Sequence, residues 1–112
     1  MNKIDFICKF NALRFECENE IITLIENNTN GVTSVIMPKN PPIYHKYNTI
    51  DGEKADLITE VKVVQHKTYK WLEFVAGERV IQLAEIDYIT LFQVYSVLFD
   101  YISRLKSSLK QE

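Results

Sequence analysis

Glycine and proline are scarce in this chain, with three of each in 112 residues. Gly31, Gly52 and Gly77 stand far apart, which excludes the clustered glycine loops that cradle phosphates. Cysteine is scarcer still. Cys8 and Cys17 are too few for a disulfide-stapled scaffold, and both sit among apolar residues, as reduced, buried thiols do. His45 and His66 are not at metal-ligand spacing with each other or with either cysteine, so no metal site is expected. There is no basic excess either: 13 Lys and Arg against 15 Asp and Glu give a net charge of −2, which argues mildly against nucleic acid. Long apolar runs are missing. The uncharged run in the most apolar segment, Tyr88–Phe99, is 12 residues, against the roughly 20 that a bilayer requires. The opening MNKIDFICKF is interrupted by Asp5 and lacks a signal-peptide core, so a cytoplasmic location is the expectation. With no catalytic motif, neither an enzyme nor a cofactor is expected.

What is present suits one domain over residues 1–112: the composition is 46% hydrophobic and 25% charged. Ile4, Phe6, Cys8 and Phe10 alternate, and Leu13, Phe15 and Cys17 continue with shifted parity. Period two marks half-buried strands, with a turn or bulge at Asn11-Ala12. Ile21–Ile25 fits a strand or one helical turn. The turn signal NNTNG at 27–31 follows, then a strand candidate at Val32–Met37. Residues 38–56, with Pro38, Pro41 and Pro42, read as a loop. Hairpins then come in succession. Gly77-Glu78 closes one, setting Phe74 opposite Ile81 and Leu72 opposite Leu83. A turn near His66-Lys67 sets Val63 opposite Lys70 and Val61 opposite Leu72. In this register Val61, Val63, Leu72, Phe74, Ile81 and Leu83 share a core face. The expected fold is α+β: an antiparallel, curved sheet of about six strands followed by one long helix at 85–109.

That helix has acid at Glu85 and Asp87 and base at Arg104, Lys106 and Lys110, which suits its dipole. Thr90, Gln93, Ser96, Asp100, Ser103 and Arg104 form one polar stripe, and apolar residues fill half the circumference or more. A helix on one sheet needs an apolar stripe of only about 100°. The excess calls for a homo-oligomer, with Leu91, Tyr95, Leu98, Phe99 and Ile102 as the interface.

One segment carries a binding chemistry. KVVQHKTYKW at 62–71 contains no acid and offers Lys62, Lys67, Tyr69, Lys70 and Trp71. Lysines neutralise phosphates, and aromatic rings on a strand stack unpaired bases at about 1–3 kcal/mol each. Single-stranded nucleic acid is therefore the first expected partner. The second is a protein, met by an acidic edge of Glu16, Glu18 and Glu20 and by the 38–56 loop.

The stretch IQLAEIDYITLFQVYSVLFDYISRL at 81–105 resembles the end of the transcriptional positive-cofactor and Whirly-like family of single-stranded DNA binders. There a last strand of I-x-L pattern runs into a helix with an aromatic in its first turn and leucines after it. Ile81, Leu83, Tyr88, Leu91, Leu98, Ile102 and Leu105 occupy those places. The resemblance implies a curved sheet that presents basic and aromatic residues to DNA, and a helix that makes the oligomer contact.

Overall fold

The computed structural model describes residues 3–28 and 33–110, with side chains for 13–27 and 33–104. Two helices, α1 (Lys3–Asn28) and α2 (Tyr88–Lys110), bracket five strands: β1 (Ser34–Ile36), β2 (Tyr44–Thr49), β3 (Gly52–His66), β4 (Tyr69–Ala76) and β5 (Arg79–Gln82). The fold is α+β, with every strand pair antiparallel and the order β1-β3-β4-β5; β2 also pairs with β3.

The amino-terminal third departs from expectation. Residues 3–28 are a helix and not two strands, so the sheet has five strands where about six were expected. No Gly or Pro interrupts the segment, and from Cys17 the buried positions follow the helical period: Cys17, Ile21 and Ile25 recur every four residues. The alternation that suggested a strand includes Leu13 and Phe15, which are both exposed. The alternating positions Ile4–Phe10 lie on the same helix, and their side chains, Cys8 included, fall outside the described residues, as do positions 29–31 of the turn signal.

The expected 38–56 loop is also shorter than the sequence suggested. Only the proline-bearing residues 37–43 lack regular structure; Tyr44–Thr49 and Gly52 onward form a hairpin. Its turn is held by Thr49, whose hydroxyl accepts the Asp51 N–H at 3.2 Å and donates to the Gly52 carbonyl at 2.9 Å. Strand β2, YHKYNT, is nearly all polar or tyrosine, which hides it from a hydrophobic count.

The β3–β4 hairpin has the expected faces but pairs Val63 with Leu72 and Val61 with Phe74, two residues on from the expected register. The turn is Lys67-Thr68, with Lys67 at φ 57°, the positive value that two-residue hairpin turns favour. A register shift between Ile58 and Glu60 keeps Ile58 on the same buried side as Val61 and Val63. Gly77, at φ 63°, turns β4 into β5 hard against the Asp56 side chain, where a Cβ would come within 3.1 Å. As expected, Phe74 faces Ile81. Leu83 leaves the ladder for a 3-10 turn at Leu83–Glu85 and never pairs with Leu72. Helix α2 then starts at Tyr88, where the Asp87 carboxylate accepts the Thr90 N–H at 3.0 Å as an N-cap.

The core lies between the sheet and the two helices. Val61, Val63, Leu72, Phe74, Ile81, Ile21, Ile25, Leu91, Val94 and Leu98 all join one buried cluster. The sheet's other face carries Lys62, Val64, Tyr69, Trp71, Val75 and Val80, all half-buried or exposed.

Candidate binding surfaces

Three surfaces concentrate chemistry. The first is the end of the β3–β4 hairpin. Lys62, Tyr69 and Trp71 share the open face, with Lys67 in the turn beside them. Tyr69 is 72% exposed and Trp71 half-buried. Lys70 does not join them: it alternates to the helix side and bonds Glu26 of α1 at 2.8 Å. Lys62 lies 3.3 Å from Glu60 and directly across the ladder from Glu73. The Trp71 indole N–H in turn points at the Glu73 carboxylate, 3.4 Å away. Lys62 and Lys70 therefore stand among carboxylates from outside residues 62–71, and Lys67 in the turn is the lysine of the segment with no carboxylate beside it among the described residues.

The second surface is a cleft of about 420 Å³ that opens where β5 leaves β4, lined by Arg14, Phe15, Glu18, Trp71, Leu83 and Ala84. Arg14 crosses it and donates through one guanidinium nitrogen to the backbone carbonyls of Leu83 and Ile86, tying α1 to the approach to α2. Glu18 is 6% exposed, and its carboxylate accepts the Leu72 N–H at 3.2 Å, taking the place that Leu83 vacates on the edge of β4. The expected acidic edge is thus divided. On a helix Glu16 and Glu20 share an exposed side, whereas Glu18 turns inward.

Burial pushes the Glu18 carboxyl above its ordinary range, and the Leu72 N–H offsets part of that rise. The folded chain therefore holds this proton at a pH where the unfolded chain has released it. The resulting stability is fully present below the unfolded value and is lost as pH rises through the raised one. Glu18→Gln keeps an acceptor for Leu72 and is expected to flatten the fall in melting temperature above mildly acidic pH. Glu18→Ala leaves the amide unpaired and is expected to cost about 1–3 kcal/mol. Melting curves across pH decide: a Gln variant that tracks the wild-type profile removes Glu18 as the cause.

The third surface is the outer side of the helical layer. Leu91, Leu98 and Ile102, expected at an oligomer interface, are buried in the chain's own core. Tyr95 is half-buried, and of the five expected interface residues only Phe99 is exposed, at 50%. The exposed apolar residues of α2 are instead Ile89 at 69%, Phe92 at 52% and Phe99. The rings of Tyr88, Phe92, Tyr95 and Phe99 form a ladder with successive centroids 6.4, 6.4 and 6.1 Å apart. A groove beside this ladder is lined by Leu13, Cys17, Tyr88, Phe92 and Tyr95 and edged by Glu16 and Glu20. Burial, with Glu20 nearby, raises the Cys17 thiol, in keeping with an inert side chain.

Sequence reasoning missed Arg14, Phe92 and Ile89. Arg14 has no local signal, since its partners are 69 and 72 residues away. The α2 residues were detectable as exposed once the buried side of the helix was known. Among the described residues there is no grouping of His, Cys, Asp or Glu able to hold a metal ion, and no helix long and apolar enough to cross a membrane. No family model, curated protein or solved structure matches the chain, so the resemblance of residues 81–105 rests on those residues alone.

Proposed function

We propose that this chain is a non-enzymatic protein-interaction module that works through the outer side of its helical layer. The observation that carries this reading is the half-exposed Phe92 and Phe99 with Ile89, on a helix without a charged residue from Tyr88 to Phe99. Each large apolar side chain left in water forgoes about 1.5–3 kcal/mol, and a contiguous patch marks a surface that meets another macromolecule. The Glu16 and Glu20 carboxylates beside the ladder give the patch a polar rim, the usual anatomy of a protein interface.

Single-stranded nucleic acid is the second reading, favoured by Tyr69 and Trp71 standing two residues apart on one open strand face with Lys62 and Lys67. The pairs Lys62–Glu60 and Lys70–Glu26 are partly exposed and cheap to exchange for phosphate. Yet exchange leaves Glu60, Glu73 and Glu26 near the strand, and their repulsion opposes a polyanion. Salt separates the two readings, because lysine–phosphate binding weakens steeply as salt rises and apolar docking hardly responds. The expected result is that a fluorescent single-stranded oligonucleotide keeps its free anisotropy at micromolar protein in low salt. Lys67→Glu with Lys70→Glu is then without effect. Salt-sensitive binding that quenches Trp71 and disappears in that double variant transfers the function to the second reading.

A further inference from the structure

The exposed residues of α2 are ordered as well as apolar. Ile89, Phe92, Ser96, Phe99 and Ser103 are separated by steps of three, four, three and four, and all are exposed. That spacing runs a single seam along one side of a helix, the pattern that seats one helix against another. The opposite side, with Leu91, Val94, Leu98 and Ile102, is closed by the chain's own core, so the seam is what α2 has left to offer. The ring ladder from Tyr88 to Phe99 packs Phe92 and Phe99 against Tyr95, which limits their rotation before any partner arrives.

We propose that the seam is occupied by the same seam of a second copy of this chain, running antiparallel, with Phe92 seated on Ser96 of the second copy. This rests on the helical layer being the working surface, and it names the partner. Two complementarities select this occupant. One is size: from Phe92 on, the seam alternates large and small residues, Phe92, Ser96, Phe99 and Ser103. An antiparallel pairing that puts Phe92 over Ser96 also puts Ile89 over Phe99, and twofold symmetry repeats both layers. Each Phe92 then meets a serine, and each Phe99 the smaller Ile89. A parallel pairing stacks Phe92 on Phe92 and leaves paired serines with a void between them. The other is charge. The approach to α2 carries Glu85 and Asp87, both exposed. Its far end carries the exposed Asp100 and Arg104, with Lys106 and Lys110 following in sequence, so its balance is basic. Antiparallel packing brings Arg104 of each copy toward the acidic entry of the other; parallel packing sets acid against acid.

The test exchanges the two sizes. Sedimentation velocity over the micromolar range should show a wild-type dimer. Ser96→Phe overfills both symmetry-related layers and is expected to weaken self-association by about 100-fold or more. Combining it with Phe92→Ser moves the large residue to the opposite place in the same layer and should restore the dimer to within about tenfold of wild type. Both positions are exposed and outside the buried core, and far-ultraviolet circular dichroism checks that the variants stay folded. A wild-type chain that stays monomeric overturns the second copy as occupant, and leaves the interaction reading itself to stand or fall on the oligonucleotide titration. A dimer that tolerates Ser96→Phe, or that the size exchange fails to restore, overturns the register.

Discussion

Phe74→Ala is expected to destabilise the folded chain by about 3–5 kcal/mol, the largest effect of any single truncation considered for this molecule. Phe74 is fully buried and has the largest side chain in the core. It stands in β4, the strand between β3 and β5, opposite Val61 on β3 and Ile81 on β5, both also fully buried. The cavity left by its ring is therefore walled by three strands already fixed by their hydrogen bonds, with little freedom to collapse. A domain of this size has about 5–15 kcal/mol in total, so the variant sits near its unfolding threshold at room temperature. Urea titration followed by circular dichroism should show a much lower midpoint with an unchanged slope. Val75→Ala, one residue along on the open face, serves as the internal control and should cost under about 1 kcal/mol. Equal losses for the two variants would mean that the two faces of β4 are wrongly assigned.

Arg14→Ala is expected to cost about 3 kcal/mol, from a single half-buried side chain far from the centre of the core. Its guanidinium serves the carbonyls of Leu83 and Ile86, at either end of the short passage between β5 and α2. No strand partner takes Leu83, because β5 ends at Gln82. Truncation removes two charge-assisted hydrogen bonds; the Leu83 carbonyl keeps the Ile86 N–H, while the Ile86 carbonyl loses the Arg14 donor. Lysine should rescue only part of the loss: one nitrogen of Arg14 serves both carbonyls, and an ammonium on a flexible stem is less pre-organised to reach them. Thermal melts of the Ala and Lys variants read the result directly. A Lys variant as stable as wild type would show that any cationic donor at this place does the tying, whatever its shape.

The parts of the fold visible in the sequence are those that local patterns specify. The β4–β5 hairpin is written in Phe74, Gly77 and Ile81: two core residues at mirror positions around a glycine that tolerates positive φ. The long carboxy-terminal helix is legible because its apolar density exceeds what a strand of that length carries. Where the pattern is not local, reading fails. Leu13, Phe15 and Cys17 alternate by accident, because only Cys17 of the three reaches the core. Strand β2 escapes notice because it extends along the surface, where Tyr44, Lys46 and Asn48 need no apolar neighbours.

The candidate sites divide in the same way. Tyr69 and Trp71 occupy the open face as their parity requires, but the carboxylates of Glu26 and Glu60 that engage the lysines come from outside the segment that looked acid-free. For α2, the apolar excess was visible at once. Which part of it stays at the surface depended on α1, and α1 was the element misread as strands.

The pairing of the first helix with the last has a consequence for how the chain is made. Arg14 bonds Ile86, 72 residues further on, and Ile21 and Ile25 share their buried cluster with Leu91, Val94 and Leu98. At synthesis rates of about 5–20 residues per second, the apolar side of α1 leaves the ribosome roughly 4–14 s before the helix that covers it. For that interval Cys17, Ile21, Ile22 and Ile25 lack the α2 side of their packing. Only the sheet side, which meets α1 through Glu18–Leu72 and Glu26–Lys70, is made in the meantime. The completion of α2 is then the event that closes this surface.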